Sequence, residues 1–376
     1  MANALYVHIP FCKRKCIYCN FYSCIYEEAE ASGYVDAILF QLGKLTPSAP
    51  FKTVYVGGGT PTALGLPILK KLLQGLSRVS KGSAEFTFEA NPESMDRDKM
   101  KMLLDHGVNR LSIGVQSLRD EKLKKLGRIH NAAKAVASVM DASKAGFGNI
   151  SIDLIFGLWN ENPDSWKAEL GEAVRLPVKH VSCYELTYES GTPLFEMLEN
   201  KAIAPPEDDT AAGMYAAAIE ELALRGFKQY EVSNFAKPGF ESRHNINYWE
   251  NSAYLGLGAS AFSYDGDTRS RNVSDAREYA RRIMAGKSVT EFSERLPPER
   301  RARETAAVKI RTREGKDFNW FREKTGYDLR DIGKKAIPKL IDEGLIRYVR
   351  DKDAVTGISL KRKGFLFCDT VSSDLL

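Results

Sequence analysis

The chain has 376 residues, 43% hydrophobic and 27% charged, with a net charge of +5 and six cysteines. A chain of this length holds two or three domains, and six cysteines are too sparse for a disulfide framework. No apolar run approaches the ~18 residues that span a bilayer.

The opening Met-Ala-Asn-Ala-Leu-Tyr-Val-His lacks a basic segment followed by an apolar core. No signal peptide is expected, and the cytoplasm is the expected compartment. From residue 299 onward 19 Lys and Arg face 13 Asp and Glu, so the basic excess belongs to the C-terminal segment. Diffuse basicity of this kind reads as a solvated face, and no nucleic-acid partner is expected.

In chain order, residues 5–9 alternate faces and predict a first strand, followed at once by a cysteine-bearing loop. A helix is expected near 32–45, a second strand over 53–56 running into Gly57-Gly58-Gly59-Thr60-Pro61, and a helix over 67–79. The third strand, 85–88, ends at Glu89-Ala-Asn-Pro, and a helix follows over 96–106. The fourth, 110–115, ends at Gln116-Ser, before two helices. The fifth, 150–155, carries Asp153, and a helix over 166–175 leads to the sixth, 180–186. Six β–α units in series predict a parallel sheet, because each crossover returns the chain to the same end. Eight would close a barrel, so six predict a partial (β/α)6 barrel with its site at the carboxyl ends of the strands. After about Pro297 the pattern changes. Helices over 301–311, 318–325 and 329–343 precede a hairpin over 345–349 and 357–360, which predicts a winged-helix-like α+β domain. The expected division is 1–235 for the barrel, 236–297 for a connecting segment and 298–376 for the C-terminal domain.

The cysteine loop reads His8-Ile-Pro-Phe-Cys12-Lys-Arg-Lys-Cys16-Ile-Tyr-Cys19, a CxxxCxxC spacing. Structural zinc requires four Cys or His ligands in paired knuckles, and no second pair follows. Three thiolates can hold three corners of a [4Fe–4S] cubane and leave the fourth iron open to a small molecule, whereas electron-transfer ferredoxins supply four cysteines. The remaining alternative is three unrelated thiols, which the eight-residue span and flanking basic residues disfavour. Cys24, Cys183 and Cys368 stand apart and read as small hydrophobes. The Gly57–Gly59 loop lets a ligand approach the backbone and is expected to offer free N–H groups, but lacks the Gly-Lys-Ser/Thr ending of a phosphate loop. Glu89 and Asp153 can accept from ribose hydroxyls or an amino group, and Arg128 can pair with a carboxylate. Each acid taken alone is as readily a helix cap or a surface charge.

Tyr6-x-His8-Ile-Pro-Phe-Cys12-x3-Cys16-x-Tyr18-Cys19, Gly57-Gly-Gly-Thr-Pro61, Glu89-Ala-Asn-Pro, Gly114-Val-Gln-Ser117 and Leu126-Gly-Arg-x-His130 together resemble the radical S-adenosylmethionine (SAM) enzymes related to oxygen-independent coproporphyrinogen III dehydrogenase. The resemblance covers nearly the whole chain and implies a radical-SAM partial barrel. It implies that Cys12, Cys16 and Cys19 ligate the cluster, and that Tyr6, Tyr18, Gly58, Glu89, Gln116, Arg128 and Asp153 line the SAM site. Gly59 and Thr60 would correspond to contacts for a second SAM. In this family an electron from the reduced cluster cleaves the sulfonium to methionine and a 5′-deoxyadenosyl radical.

Two departures bear on which branch the chain resembles. The dehydrogenase carries an N-terminal extension over its site, whereas the first strand here is expected by Leu5. It also has a further cysteine where this chain has Asn20-Phe21. The Cys-Asn-Phe-Tyr-Ser run is similar instead to the HemW-type haem chaperone branch. That branch also carries an HNxxY motif proposed to bind haem, present here as His244-Asn-Ile-Asn-Tyr248. A neutral imidazole can ligate haem iron, and aromatic neighbours such as Tyr248 can flank a porphyrin. A lone histidine is equally a hydrogen-bonded structural residue. Two functions follow: a haem chaperone binding cluster, SAM and haem, or a dehydrogenase forming protoporphyrinogen IX. The first is favoured, with coproporphyrinogen dehydrogenase activity not expected; a winged-helix regulator with an Fe–S sensor fits less well. The chaperone resemblance implies a haem-acceptor protein and an electron donor for the cluster, and leaves room for a weak membrane association with respiratory proteins.

Overall fold

The computed structural model describes residues 2–45 and 50–376. Six parallel strands lie side by side in chain order: Ala4–Ile9, Thr53–Gly58, Glu85–Ala90, Arg110–Gln116, Ile150–Phe156 and His180–Glu185. The sheet stays open. The helices between consecutive strands cover its outer face, so outward residues such as Val54, Phe86, Phe88, Leu111 and Ile152 are buried. The inner face is polar. In the third strand Glu85, Thr87 and Glu89 alternate with Phe86 and Phe88, the period-two pattern of a strand with two unlike faces. Local signals bound several helices: Asp96 and Asn131 accept from backbone N–H groups at N-termini, and Gly146 takes the left-handed C-cap.

Residues 236–297 add strands to this sheet. Tyr254–Leu257 pairs in parallel with the first strand, so a seventh parallel strand flanks the six. Phe262–Tyr264, Thr268–Asn272 and Thr290–Arg295 then extend that edge as an antiparallel ribbon. At the other edge Asn234–Ala236 and Lys228–Gln229 pair antiparallel beside the sixth strand.

The C-terminal segment holds the helices Pro298–Lys309 and Phe318–Thr325 and the hairpin Ile346–Asp351 with Ala354–Leu360. The helix expected over 329–343 is two pieces, Leu329–Ile332 and Ala336–Asp342. A break at Gly333 puts Pro338 in the first turn of the second piece. In a continuous helix its ring would clash with the carbonyl one turn earlier. A short strand, Lys316–Asp317, pairs with the hairpin to make three strands. Two further helices, Arg362–Leu366 and Cys368–Leu375, bury Phe365, Cys368, Val371 and Leu375. Among the described residues no helix is long and apolar enough to cross a membrane.

Candidate functional site

The cysteine loop leaves the first strand and is closed by a two-residue parallel pairing, Phe11 with Cys24 and Cys12 with Ile25. The Cys24 N–H donates to the Pro10 carbonyl at 2.9 Å and the Tyr26 N–H to the Cys12 carbonyl at 2.8 Å. Cys24 is thus the closure of the loop, and burial pushes its thiol up to about 11. Cys12, Cys16 and Cys19 are free, half-buried and line one cavity at the carboxyl ends of the strands. Cys183 and Cys368 are buried, as small hydrophobes are. The Thr60 hydroxyl donates to Cys12 Sγ at 3.5 Å, and Arg128 Nη1 donates to Cys16 Sγ at 3.2 Å. Such donors to sulfur hold thiolates in place and tune a bound cluster. No three His, Cys, Asp or Glu side chains among the described residues converge as ligands of a single metal ion would. A cubane takes its thiolates at separate corners, so three spaced cysteines around one cavity fit the cluster and not a mononuclear ion.

The glycine loop differs from expectation. Its amides are spent within the fold: Gly58 N–H donates to Glu89 Oε2 at 3.1 Å, Gly59 N–H to the Ile9 carbonyl at 2.9 Å and Thr60 N–H to the Phe11 carbonyl at 2.8 Å. The glycines are needed for close approach instead. A Cβ on Gly58, at φ 113°, would lie 2.5 Å from the His8 ring, and one on Gly59 2.7 Å from the Pro10 backbone.

The cavity measures about 610 Å³, the size of a small-molecule site. Tyr18, Gly58, Gly59, Thr60, Glu89, Gln116, Arg128 and Asp153 all line it. Gln116 sits at φ 65°, an uncommon conformation for a non-glycine residue and one that clusters at binding sites. Tyr6 is the exception. It lies deeper on the inner face with its hydroxyl 2.9 Å from His8 Nδ1, and it is not part of the cavity wall. Its side chain is two residues lower on the first strand than His8, which already packs beneath Gly58.

Electrostatics follow from burial. Glu89 accepts from Tyr55 Oη at 2.6 Å and from Gly58 N–H; burial pushes its carboxyl up to about 7 despite those two bonds, with the nearby Asp153 adding to the rise. Burial likewise raises Asp153, opposed by hydrogen bonds from Ser182 and Ser112 and by Arg110. Arg128 donates from Nη2 to the Gly114 carbonyl at 3.1 Å. A cationic guanidinium and two half-buried acids therefore face one space, an arrangement that suits a ligand bearing both a carboxylate and donor groups.

His244 and Tyr248 lie at the opposite end of the barrel. The helix Arg243–Trp249 sits under the amino ends of the strands. Its first N–H groups are held by Glu85, which accepts from Arg243 N–H at 2.9 Å and His244 N–H at 3.1 Å. His244 is 1% exposed, with Nδ1 2.9 Å from Thr53 Oγ1 and Nε2 3.0 Å from Tyr248 Oη. Burial lowers its imidazole to about 3, so it is neutral. In this conformation the ring is buried and both its nitrogens are engaged.

Sequence reasoning passed over Asn91, Ser112 and Tyr184, which also line the cavity. Asn91 Nδ2 donates to Thr60 Oγ1 at 2.8 Å, behind Cys12. Ser112 pairs in register with Glu89, and Tyr184 lies two residues after Ser182, the register partner of Asp153. The period-two alternation of those strands was the available signal.

The partial barrel and its three-cysteine cavity define a radical SAM protein, and the radical SAM superfamily pattern matches residues 6–171. A [4Fe–4S] cluster and SAM are the cofactors of that superfamily. Within it the chain belongs to the HemW family. It is 35% identical over 350 residues to heme chaperone HemW of Bacillus subtilis (strain 168), covering 92% of each chain. It is 37% identical over 264 residues to heme chaperone HemW of Escherichia coli (strain K12), covering 69% of each. The fold matches coproporphyrinogen III oxidase (HemN) from Escherichia coli with a TM-score of 0.84 at 22% identity, over 99% of this chain and 89% of that one. At that identity the likeness carries the fold alone. The resemblance read from the motifs is borne out.

Proposed function

We propose that this chain is a haem chaperone that binds a [4Fe–4S] cluster, SAM and haem and delivers haem to an acceptor protein. The observation that carries the reading is the single cavity on which Cys12, Cys16 and Cys19 open together with Arg128, Glu89 and Asp153, in a chain related along 92% of its length to a heme chaperone. Cys12, Cys16 and Cys19 ligate the cluster. Tyr18, Gly58, Glu89, Gln116, Arg128 and Asp153 hold SAM, with Arg128 on its carboxylate and the two acids on its donor groups; Gly59 and Thr60 shape the wall behind Cys12. When bound, the cluster supplies an open iron and an electron. The protein's part is to orient SAM and exclude water.

Haem ligation by His244 belongs to an opened state of the helix Arg243–Trp249. Three features support it. The imidazole is held neutral, the form that binds iron. Thr53 holds Nδ1 while Nε2 is released by loss of one contact, to Tyr248. Ligating histidines commonly keep such a partner on the second nitrogen. Tyr6 acts from behind the wall through His8. The cytoplasm, where thiolates stay reduced, suits the cluster; an electron donor and a weak membrane association with respiratory proteins complete the reading. The test is anaerobic reconstitution with iron and sulfide, then incubation with haem and, separately, with coproporphyrinogen III. Haem binding without protoporphyrinogen formation is the expected result.

A further inference from the structure

The Leu126-Gly-Arg128-x-His130 turn contains a histidine that neither the cluster nor the cavity wall uses. Its side chain is fully buried. Nε2 lies 3.0 Å from the Val115 carbonyl and Nδ1 lies 3.1 Å from Glu93 Oε2. Both neighbours are acceptors. A carbonyl cannot donate, so Nε2 carries a hydrogen, and a hydrogen must also stand between Nδ1 and the Glu93 carboxyl.

Glu93 sits in the turn Pro92–Ser94 directly after the third strand. The same Oε2 lies 4.0 Å from Arg128 Nη2. Burial alone would raise the Glu93 carboxyl, but the His130 hydrogen bond and the Arg128 charge outweigh it and leave it below its ordinary value. Glu93 is therefore the anion between a hydrogen-bond donor, His130, and a cation, Arg128. Its backbone carbonyl also accepts from Lys13 Nζ at 3.1 Å, which ties the turn to the cysteine loop. Arg128 meanwhile spends one N–H on Cys16 Sγ and one on the Gly114 carbonyl. A guanidinium has five N–H groups in a rigid fork, so fixing its plane fixes where the remaining donors point.

We propose that Glu93 and His130 form a clamp that positions Arg128, setting the plane of the guanidinium that receives the carboxylate of SAM. His130 anchors Glu93 to the fourth strand through Val115, and Glu93 holds Arg128 from the side away from Cys16. Neither clamp residue touches the ligand. The proposal rests on the cofactor reading above, in which Arg128 binds SAM. A mere staple between two loops would contribute to stability but leave ligand affinity alone. A positioning pair lowers affinity when either member is lost, and losing both costs no more than losing one.

The experiment uses the full chain, reconstituted anaerobically, with SAM affinity measured by equilibrium dialysis beside iron and sulfide content. Glu93→Gln and His130→Gln are each expected to weaken SAM binding on the order of ten-fold, the usual effect of a lost supporting contact, with iron and sulfide unchanged. The double variant is expected to match the singles rather than reach the roughly hundred-fold product of independent effects. Unchanged SAM affinity in a cluster-bearing single variant overturns the clamp, as does a multiplicative double variant. If one single variant fails to fold, the other decides alone by the same measure. Wild-type protein that carries the cluster but binds no SAM removes the cofactor reading and the clamp with it, whereas a clamp failure leaves wild-type SAM binding intact.

Discussion

Tyr55 donates a 2.6 Å hydrogen bond to Glu89 while its ring lies against His244, with ring centres 5.1 Å apart. One side chain thereby spans the polar interior between the cofactor cavity and the helix beneath the barrel. The two predicted functional groups, cysteine loop and HNxxY helix, stand at opposite ends of the same strands, with Tyr55 in contact with residues of both ends.

Glu89 gives the fold a pH dependence. Its carboxyl ionises near 4.5 in an unfolded chain and near 7 when folded, so the folded state binds the proton more tightly. The stability this contributes is complete below about pH 4.5 and is lost as pH rises through about 7. Across that window the ligand-free protein should lose up to about 3 kcal/mol from this group. Glu89→Gln should flatten the slope. Denaturant titrations of both proteins between pH 5 and 8 check this, and parallel slopes would count against it.

Removing Cys16 should abolish the cluster, because three thiolates are the minimum that anchors a cubane with one open corner. Cys16→Ala should lose its iron, its sulfide and the broad absorbance of the reconstituted protein. Cys24→Ala should keep them, since Cys24 serves the backbone pairing of Phe11–Cys12 with Cys24–Ile25. Iron and sulfide analysis distinguishes the two variants.

Gly114 has no room for a side chain. A Cβ there would stand 2.5 Å from Asn91 Oδ1 and 3.0 Å from Gln116 Nε2. Gly114→Ala should displace both cavity residues, destabilise the protein by about 1–3 kcal/mol as overpacking does, and weaken SAM binding. Wild-type stability and affinity in this variant would show that the wall yields freely.

His244→Ala should weaken haem binding at least about ten-fold and alter the haem absorbance band, as loss of an axial ligand requires. Tyr248→Phe should strengthen binding or speed it, because the hydroxyl that occupies Nε2 in the closed helix is gone. An unchanged spectrum in His244→Ala would assign the ligand elsewhere.

Anaerobic incubation of the cluster-loaded protein with SAM, reductant and coproporphyrinogen III should yield little or no protoporphyrinogen. Sustained product formation, followed by chromatography, would move the chain to the dehydrogenase reading.

Much of the cavity was legible in the sequence because its residues fall at strand ends. Cys12, Gly58, Glu89 and Gln116 fall just after predicted strands, Asp153 lies within the fifth, and parallel strands put their carboxyl ends on one rim. Arg128 came from a motif rather than a strand pattern. Tyr6 came from the family motif, and in the structure it lies behind the cavity wall against His8, because a motif names a residue but not its depth. The free amides expected of the glycine loop are instead taken up, because the partners of Gly58 and Gly59, Glu89 and Ile9, come from other strands.

Local chemistry determined the alternating strands and helices, the spacing of the three cysteines, and the branch of the family, because periodicity and short motifs act over a few residues. Tertiary structure decided the rest. It joined residues 254–257 to the first strand, set Glu93 between His130 and Arg128, and buried His244 against Thr53 and Tyr55. Those contacts join segments dozens to hundreds of positions apart, and only the closing of the chain around a polar interior brings such partners within hydrogen-bonding distance.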